Sequence, residues 1–347
     1  MPFGNDHADH IYVSDLGFVS GRDPLHFVAR DLRRLSAAAG SCLILLAVLP
    51  SIILWPVDIF ASFNNVVFSA LFGAGALASV TELTREGKEL IVQLLTWGIV
   101  YLLCKGMLQP PAPAASSTVG RKQAVLCAFL MTGGITALCI FGASGLKKIL
   151  NFCHLVELNP GSLMPAGPIA LLLYLIRVIL IPAVFEEAVF RRCLLQAARR
   201  HGDSFAIFFS ALCGGIIHYT FTDVLTGFAL GLVMGYFFLR TGSLKTVIGC
   251  HALTLAAPVV LELLQAHVIP RVYTAVWPLV LILLAVTGLA GFILFCRWNA
   301  NAFALDDSRE RGLPFRRKLL ISVTGIPMLA AAALWLTQVI GSLQVIS

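Results

Sequence analysis

Charge is scarce in this sequence: Asp, Glu, Lys and Arg make up 12% of its 347 residues, whereas 58% are hydrophobic and the mean hydropathy is +0.88. A soluble domain has no use for that much apolar surface, which excludes a globular water-soluble fold and leaves a polytopic helical membrane protein. Also lacking are an HExxH motif and, despite nine cysteines, any CxxC pair. The cysteines are odd in number and spread through apolar runs, so they read as reduced packing residues rather than a disulfide framework. A cleavable signal peptide is not expected, because Asp6, Asp9, Asp15 and Asp23 interrupt the start of the chain. The formal charge of +7 is read as Lys/Arg-rich cytoplasmic loops rather than a nucleic-acid-binding surface.

Apolar runs long enough to cross a bilayer recur from Leu35 onward. The expected fold is all-α, a polytopic transmembrane helix bundle of about 8–10 membrane-embedded helices. Residues 1–34 read as a cytoplasmic N-terminal segment, ending in an interfacial amphipathic helix, and 35–108 as N-terminal membrane helices, with spans near 36–55, 59–80 and 90–108. Residues 109–122 form a Pro/Ala/Ser linker, the clearest break in composition. A core is expected over 123–265, with spans near 124–146, 168–190, 204–221, 224–240 and 244–264, and C-terminal membrane helices over 266–347, near 274–296 and 319–345. Asn151 to Gly167 reads as a loop or surface-lying segment. The positive-inside rule places the loops at Arg121/Lys122, Arg191–Arg200, Arg240–Lys245 and Arg297–Lys318 in the cytoplasm, with Asp223 and Arg271 outside. Lys147 and Lys148 run against it. With Met1 also inside, the run at 59–80 cannot be a full span; ten spans would place Met1 outside.

The stretch Pro182-Ala-Val-Phe-Glu-Glu-Ala-Val-Phe-Arg191 concentrates the charge that the rest of the chain avoids. Charges at membrane depth cost roughly 2.5–3.5 kcal/mol each on insertion scales and mark function by default. Glu187 and Arg191, four apart, share a helical face and can pair. Glu186 lies about 100° round and is free to face a cavity. Pro182 is expected to kink the helix just ahead of Glu186. Two histidines, His218 and His251, also lie in apolar helices. A carboxylate with two histidines suits either a metal centre with open positions or a general base with oxyanion stabilisers.

Glu186-Glu187-Ala188-Val189-Phe190-Arg191 resembles EExxxR, the first motif of the CPBP (CAAX protease and bacteriocin-processing, also ABI) family of intramembrane proteases. His218 in SALCGGIIH is similar to that family's FxxxH, and His251, at the end of FALGLVMGYFFLRTGSLKTVIGCHAL, to its HxxxN. The resemblance covers about residues 124–264. It departs at Gly214, where the second motif has an aromatic, and at Leu255, where the third has Asn or Asp. Thr254, on nearly the same face as His251, is a substitute donor, although its position favours bonding back to a carbonyl one turn earlier.

The resemblance implies an intramembrane endopeptidase. Glu186 would activate water, His218 and His251 would orient it and stabilise the oxyanion, and Glu187 with Arg191 would hold the charge balance. It implies no cofactor; the alternative is zinc on Glu186, His218 and His251. The implied partners are a membrane-anchored or membrane-inserted peptide near the cytoplasmic leaflet and the lipid bilayer, without nucleic acid. The implied location is multi-pass in the plasma (inner) membrane of a prokaryote. A non-catalytic scaffold or immunity protein on the same fold is the competing reading, and a transporter fits less well because no inverted repeat is visible.

Counting 1.5 Å per residue puts Glu186 roughly 8 Å from a cytoplasmic end at Arg191, and His251 roughly 9–10 Å from the same face. His218 comes out near 20 Å, a mismatch that calls for a later start, a tilt or a kink in its helix. Gly227, Gly231 and Gly235 form a small-residue ridge expected to bring the helices of His218 and His251 together. Arg177 reads either as a structural partner or as a group that recognises a substrate carboxylate.

Overall fold

The computed structural model describes residues 10–13, 17–20, 24–72, 77–108, 121–158, 164–267, 269–299, 301–307 and 313–345. The linker at 109–122 lies almost wholly outside the described residues. The chain opens with a hairpin, β1 (His10–Val13) and β2 (Gly17–Ser20), paired antiparallel. The helices are α1 (Pro24–Phe72), α2 (Leu77–Met107), α3 (Arg121–Phe152), α4 (Pro168–His201), α5 (Asp203–Ile216), α6 (Phe221–Thr241), α7 (Leu244–His267), α8 (Pro270–Trp298), α9 (Phe315–Val323) and α10 (Ile326–Gly341). Strand β3 (Leu155–Glu157) follows α3 and pairs antiparallel with β4 (Leu343–Val345). Helices dominate because lipid offers the backbone no hydrogen-bond partners, so each span must satisfy its own. Seven of the described helices are long and apolar enough to cross a membrane, or eight with the bent pair α9–α10 as one span. The outer faces are apolar, with Trp55 and Phe60 each 74% exposed.

Two of the expected spans fall largely on one helix. α1 runs through both Pro50 and Pro56 to Phe72, so the run at 36–55 and most of that at 59–80 lie on one helix; 73–76 lie outside the described residues and 77–80 open α2. Among the described residues no separate interfacial helix precedes it, and Arg30, Arg33 and Arg34 lie on its first turns. The span expected at 204–221 stops at Ile216 after 14 residues, which leaves 217–220 as a turn. The span at 319–345 is broken between α9 and α10 by a 72° bend. At that bend an added Cβ on Gly325 would collide with the Ser36 hydroxyl of α1. The loop expected at 151–167 contributes β3.

The contacts define two ends. At one, Asp31 near the start of α1 meets Arg200 (3.4 Å) and His201 (3.0 Å) at the end of α4. Arg199 pairs with Asp203 at 2.7 Å, and the fully buried Lys318 donates to the His201 carbonyl at 2.8 Å. Arg240 donates there to the carbonyls of Asn301, Ala302 and Ala304. At the other end, Glu82 of α2 accepts from the Gly167 amide at 3.2 Å, ahead of α4, and β3 pairs with β4. The start of α1 therefore shares an end with the basic loops, and the C-terminal strand lies at the opposite one. This removes the parity conflict, because the run at 59–80 continues α1 as far as Phe72 and does not turn back there.

Candidate active site

α4 carries the acidic pair, and its geometry changes twice around it. Pro182 has no N–H to donate back along the helix. The turn before it, Ile176–Leu180, widens to π-helical spacing, and the Ile181 amide bonds the Ile176 carbonyl five residues back. A second π-helical stretch runs over Glu187–Leu195. The expected kink at Pro182 thus takes the form of a widened turn, a feature concentrated at functional sites.

Glu187 is 2% exposed at its side chain and accepts from Arg191 Nε at 3.2 Å. Arg191 also donates from Nη1 to Ser210 Oγ of α5 at 3.1 Å. The other carboxylate oxygen of Glu187 stands 3.0 Å from Nδ1 of His251 on α7. The same imidazole turns Nε2 toward Glu186, at 3.8 Å from its carboxylate. That separation exceeds a direct hydrogen bond, so Glu186 keeps free oxygen valence for a third party. His251 is thereby held between two carboxylates with distinct contacts.

His218 lies in the turn between α5 and α6, its amide bonded to Gly215 O at 3.2 Å. The turn is pinned from outside the motif. Thr220 accepts from the Asp223 amide at 3.1 Å to cap α6, and Glu157 of β3 accepts from the Thr222 amide (2.9 Å) and hydroxyl (2.6 Å). The His218 ring rests on bare backbone at Gly227, where any Cβ would overlap the imidazole. Gly231 and Gly235 pack closely, without overlap, on Ala211 and on Leu195 and Ile207, at 3.0–3.3 Å from where a Cβ would be. The glycine ridge therefore packs α6 onto α5 and α4; it does not join the helices of the two histidines.

Glu186, Glu187, Arg191, His218, His251, Thr254 and Leu255 all line one cavity of about 510 Å³ between α3, α4, α6 and α7. Thr254 donates its hydroxyl proton to the His251 carbonyl at 2.7 Å, the back-bonding its helical position favours. Gly214, the position of the missing aromatic, faces the Phe190 ring, 3.6 Å from where its Cβ would be. The ring is thus supplied by the neighbouring helix. The depth mismatch passes from His218 to His251, which lies only about 10 Å along α7 from Leu244. Arg191 is buried and α4 continues to His201, so Arg191 marks no membrane end. Counted from Arg199, Glu186 lies about 20 Å deep, close to His218 at about 22 Å from Asp203.

Several participants carry no recognisable sequence signal. Ser210, Glu157 and the α3 residues Thr136 and Cys139 reach the site or its supports only through packing. Arg177 pairs with the fully buried Glu86 of α2 at 3.0 Å, the structural alternative of its two readings. Among the described residues no three His, Cys, Asp or Glu side chains are grouped to hold a metal ion.

A carboxylate and two imidazoles facing one buried cavity can carry general acid–base chemistry. Residues 168–257 match the family model described as Rce1-like, type II CAAX prenyl endopeptidase Rce1-like. This segment is similar to the Rce1-like domain of the CPBP family, and it contains every motif residue from Glu186 to Leu255. The match begins at the first residue of α4, so it is shorter than the resemblance over 124–264 and leaves out α3. It supports an intramembrane CAAX-protease function. No curated protein and no solved structure matches the chain.

Proposed function

We propose that the protein is an intramembrane endopeptidase in which Glu186 is the general base. The observation that carries this reading is the convergence of Glu186, His218 and His251 on one cavity. Glu186 takes a proton from water, the resulting oxygen adds to a peptide carbonyl, and the C–N bond breaks as the proton passes to the departing amine. Glu187 contacts Nδ1 of His251 and so sets which nitrogen faces the cavity, as a carboxylate commonly does for a working imidazole. The Nε2 edge of His251 and the His218 ring are the donors toward the developing oxyanion. Arg191 balances the Glu187 charge and ties it to α5.

Substrate reaches the site from the end opposite the basic one. The cavity lining grades from buried Thr136, Glu187 and Arg191 to exposed Ser144, Lys147 and Asp223. The latter lie at the last turns of α3 and the start of α6. If the basic end faces the cytoplasm of a prokaryotic plasma membrane, the mouth faces away from it. The substrate is then a membrane-anchored or membrane-inserted peptide presented at the outer leaflet, not the cytoplasmic one. Leu255 favours a second reading, a non-proteolytic relative on the same fold, because it places no amide donor in the cavity.

The test is mass spectrometry of candidate membrane peptides incubated with wild-type protein and with Glu186→Gln in sealed vesicles of each orientation. Cleavage by wild type alone, with the peptide on the side away from the basic end, supports both parts. Cleavage by folded Glu186→Gln at wild-type rate removes the base, and cleavage only from the basic side removes the access route.

A further inference from the structure

Glu186 and His218 line a second cavity as well. It has a volume of about 300 Å³ and lies on the other side of α4, between α1, α2 and α10, with Gln93, Thr96, Arg177 and Trp335 in its wall. Of all the residues lining the two cavities, only Glu186 and His218 are common to both. The proposed base and its histidine are therefore a partition between two compartments. The smaller one carries two unmet polar atoms. Gln93 Oε1 and Thr96 Oγ1 are buried without a hydrogen-bond partner, and Thr96 is 3% exposed. Buried polar groups of native proteins nearly always find partners in protein or water. The space greatly exceeds the roughly 30 Å³ that one water occupies in the liquid. Polar lining, room and orphaned atoms together mark a hydrated site.

We propose that this second cavity is a water compartment that supplies the hydrolytic water to Glu186 from the face of α4 opposite the substrate, with Gln93 and Thr96 as positioning residues. A peptide filling the larger cavity shuts off bulk water on its own side, so attack from there would require water to enter before the substrate. A separate store on the far side of Glu186 removes that ordering. One water is consumed per bond cleaved: its proton goes to Glu186, its oxygen to the carbonyl carbon, and the proton then goes to the leaving amine. Delivery rests on the endopeptidase reading; hydration of the cavity does not.

The experiment is X-ray radiolytic footprinting of the full-length protein in nanodiscs, read at Trp97 and Trp335, which line this cavity and are 7% and 3% exposed. Water held against these rings oxidises them despite their burial. The comparison is the double variant Gln93→Leu/Thr96→Leu, which removes both orphaned atoms and leaves apolar side chains in their place; Gln93→Met/Thr96→Val serves if the first fails to fold. Expected is at least a fivefold loss of labelling at both tryptophans in the variant. On any peptide the wild type cleaves, kcat should fall at least tenfold with KM within twofold. Wild-type tryptophans that stay unlabelled, or label equally in the variant, would overturn hydration. Reduced labelling with unchanged kcat would overturn delivery. A wild type that cleaves nothing would overturn the endopeptidase reading and delivery with it, while the labelling still judges hydration.

Discussion

Among the described residues two buried glutamates are each paired with an arginine, and they differ in what else touches the carboxylate. Glu187 and Arg191 sit one turn apart on α4, and the carboxylate also contacts Nδ1 of His251. Glu86 and Arg177 come from different helices, and the second contact to Glu86 is another arginine, Arg85, at 3.1 Å. The first pair has a carboxylate oxygen engaged with an imidazole at the cavity; the second cross-links α2 to α4. Desolvating an ion pair is expensive, so neither is retained for stability alone. The same two side chains orient a reactive group in one place and fix a helix interface in the other.

The largest effect should come from the carboxylate that belongs to neither pair. Glu186→Gln keeps the shape and loses the proton acceptor, so cleavage should drop about 10²–10⁴-fold with an unchanged melting temperature. A similar loss from Glu86→Gln, with normal folding, would erase the distinction between the two regions.

Breaking the first pair strands a buried charge, and Arg191→Ala should cost about 3–5 kcal/mol in denaturation of the purified protein. Arg177→Ala leaves Glu86 its contact with Arg85 and should cost less. Removing both partners sharpens the contrast. Glu86→Leu/Arg177→Met should leave stability near or above wild type and keep most of the cleavage activity. Glu187→Leu/Arg191→Met should fold comparably and lose activity, because His251 has lost its orienting carboxylate. Equal activity in the two doubles would show that Glu187 is structural only.

A smaller effect separates the glycines. Gly227→Ala and Gly231→Ala both overpack the α5–α6 contact, at about 1–3 kcal/mol. Only Gly227 bears on the His218 ring, so cleavage per folded molecule should fall in Gly227→Ala and hold in Gly231→Ala. The smallest effect belongs to Thr254→Val. Its hydroxyl proton is already given to the His251 carbonyl, so turnover should change less than about threefold, well short of the roughly 10²–10³ that follows removal of a true oxyanion donor. A loss of that size would show that the hydroxyl turns toward substrate.

Hydropathy and charge spacing alone determined that this chain is a helical membrane bundle, because apolar length and the cost of intramembrane charge are properties of local sequence. The Glu187–Arg191 pair was legible for the same reason, its partners being one turn apart. So was the back-bonded Thr254 hydroxyl, three residues from its acceptor. What joined distant segments was not legible. Arg177 had no identifiable partner until α2 packed beside α4 and put Glu86 against it, 91 positions away. The continuation of the first apolar run into the second along α1, as far as Phe72, was hidden because hydropathy measures length without direction. His218 seemed too deep until Arg191 proved to be buried mid-helix, so that the count along α4 had to start at Arg199. The two-sided exposure of Glu186 was decided only by the tertiary structure: a cavity is the space left between helices, and no single helix specifies it.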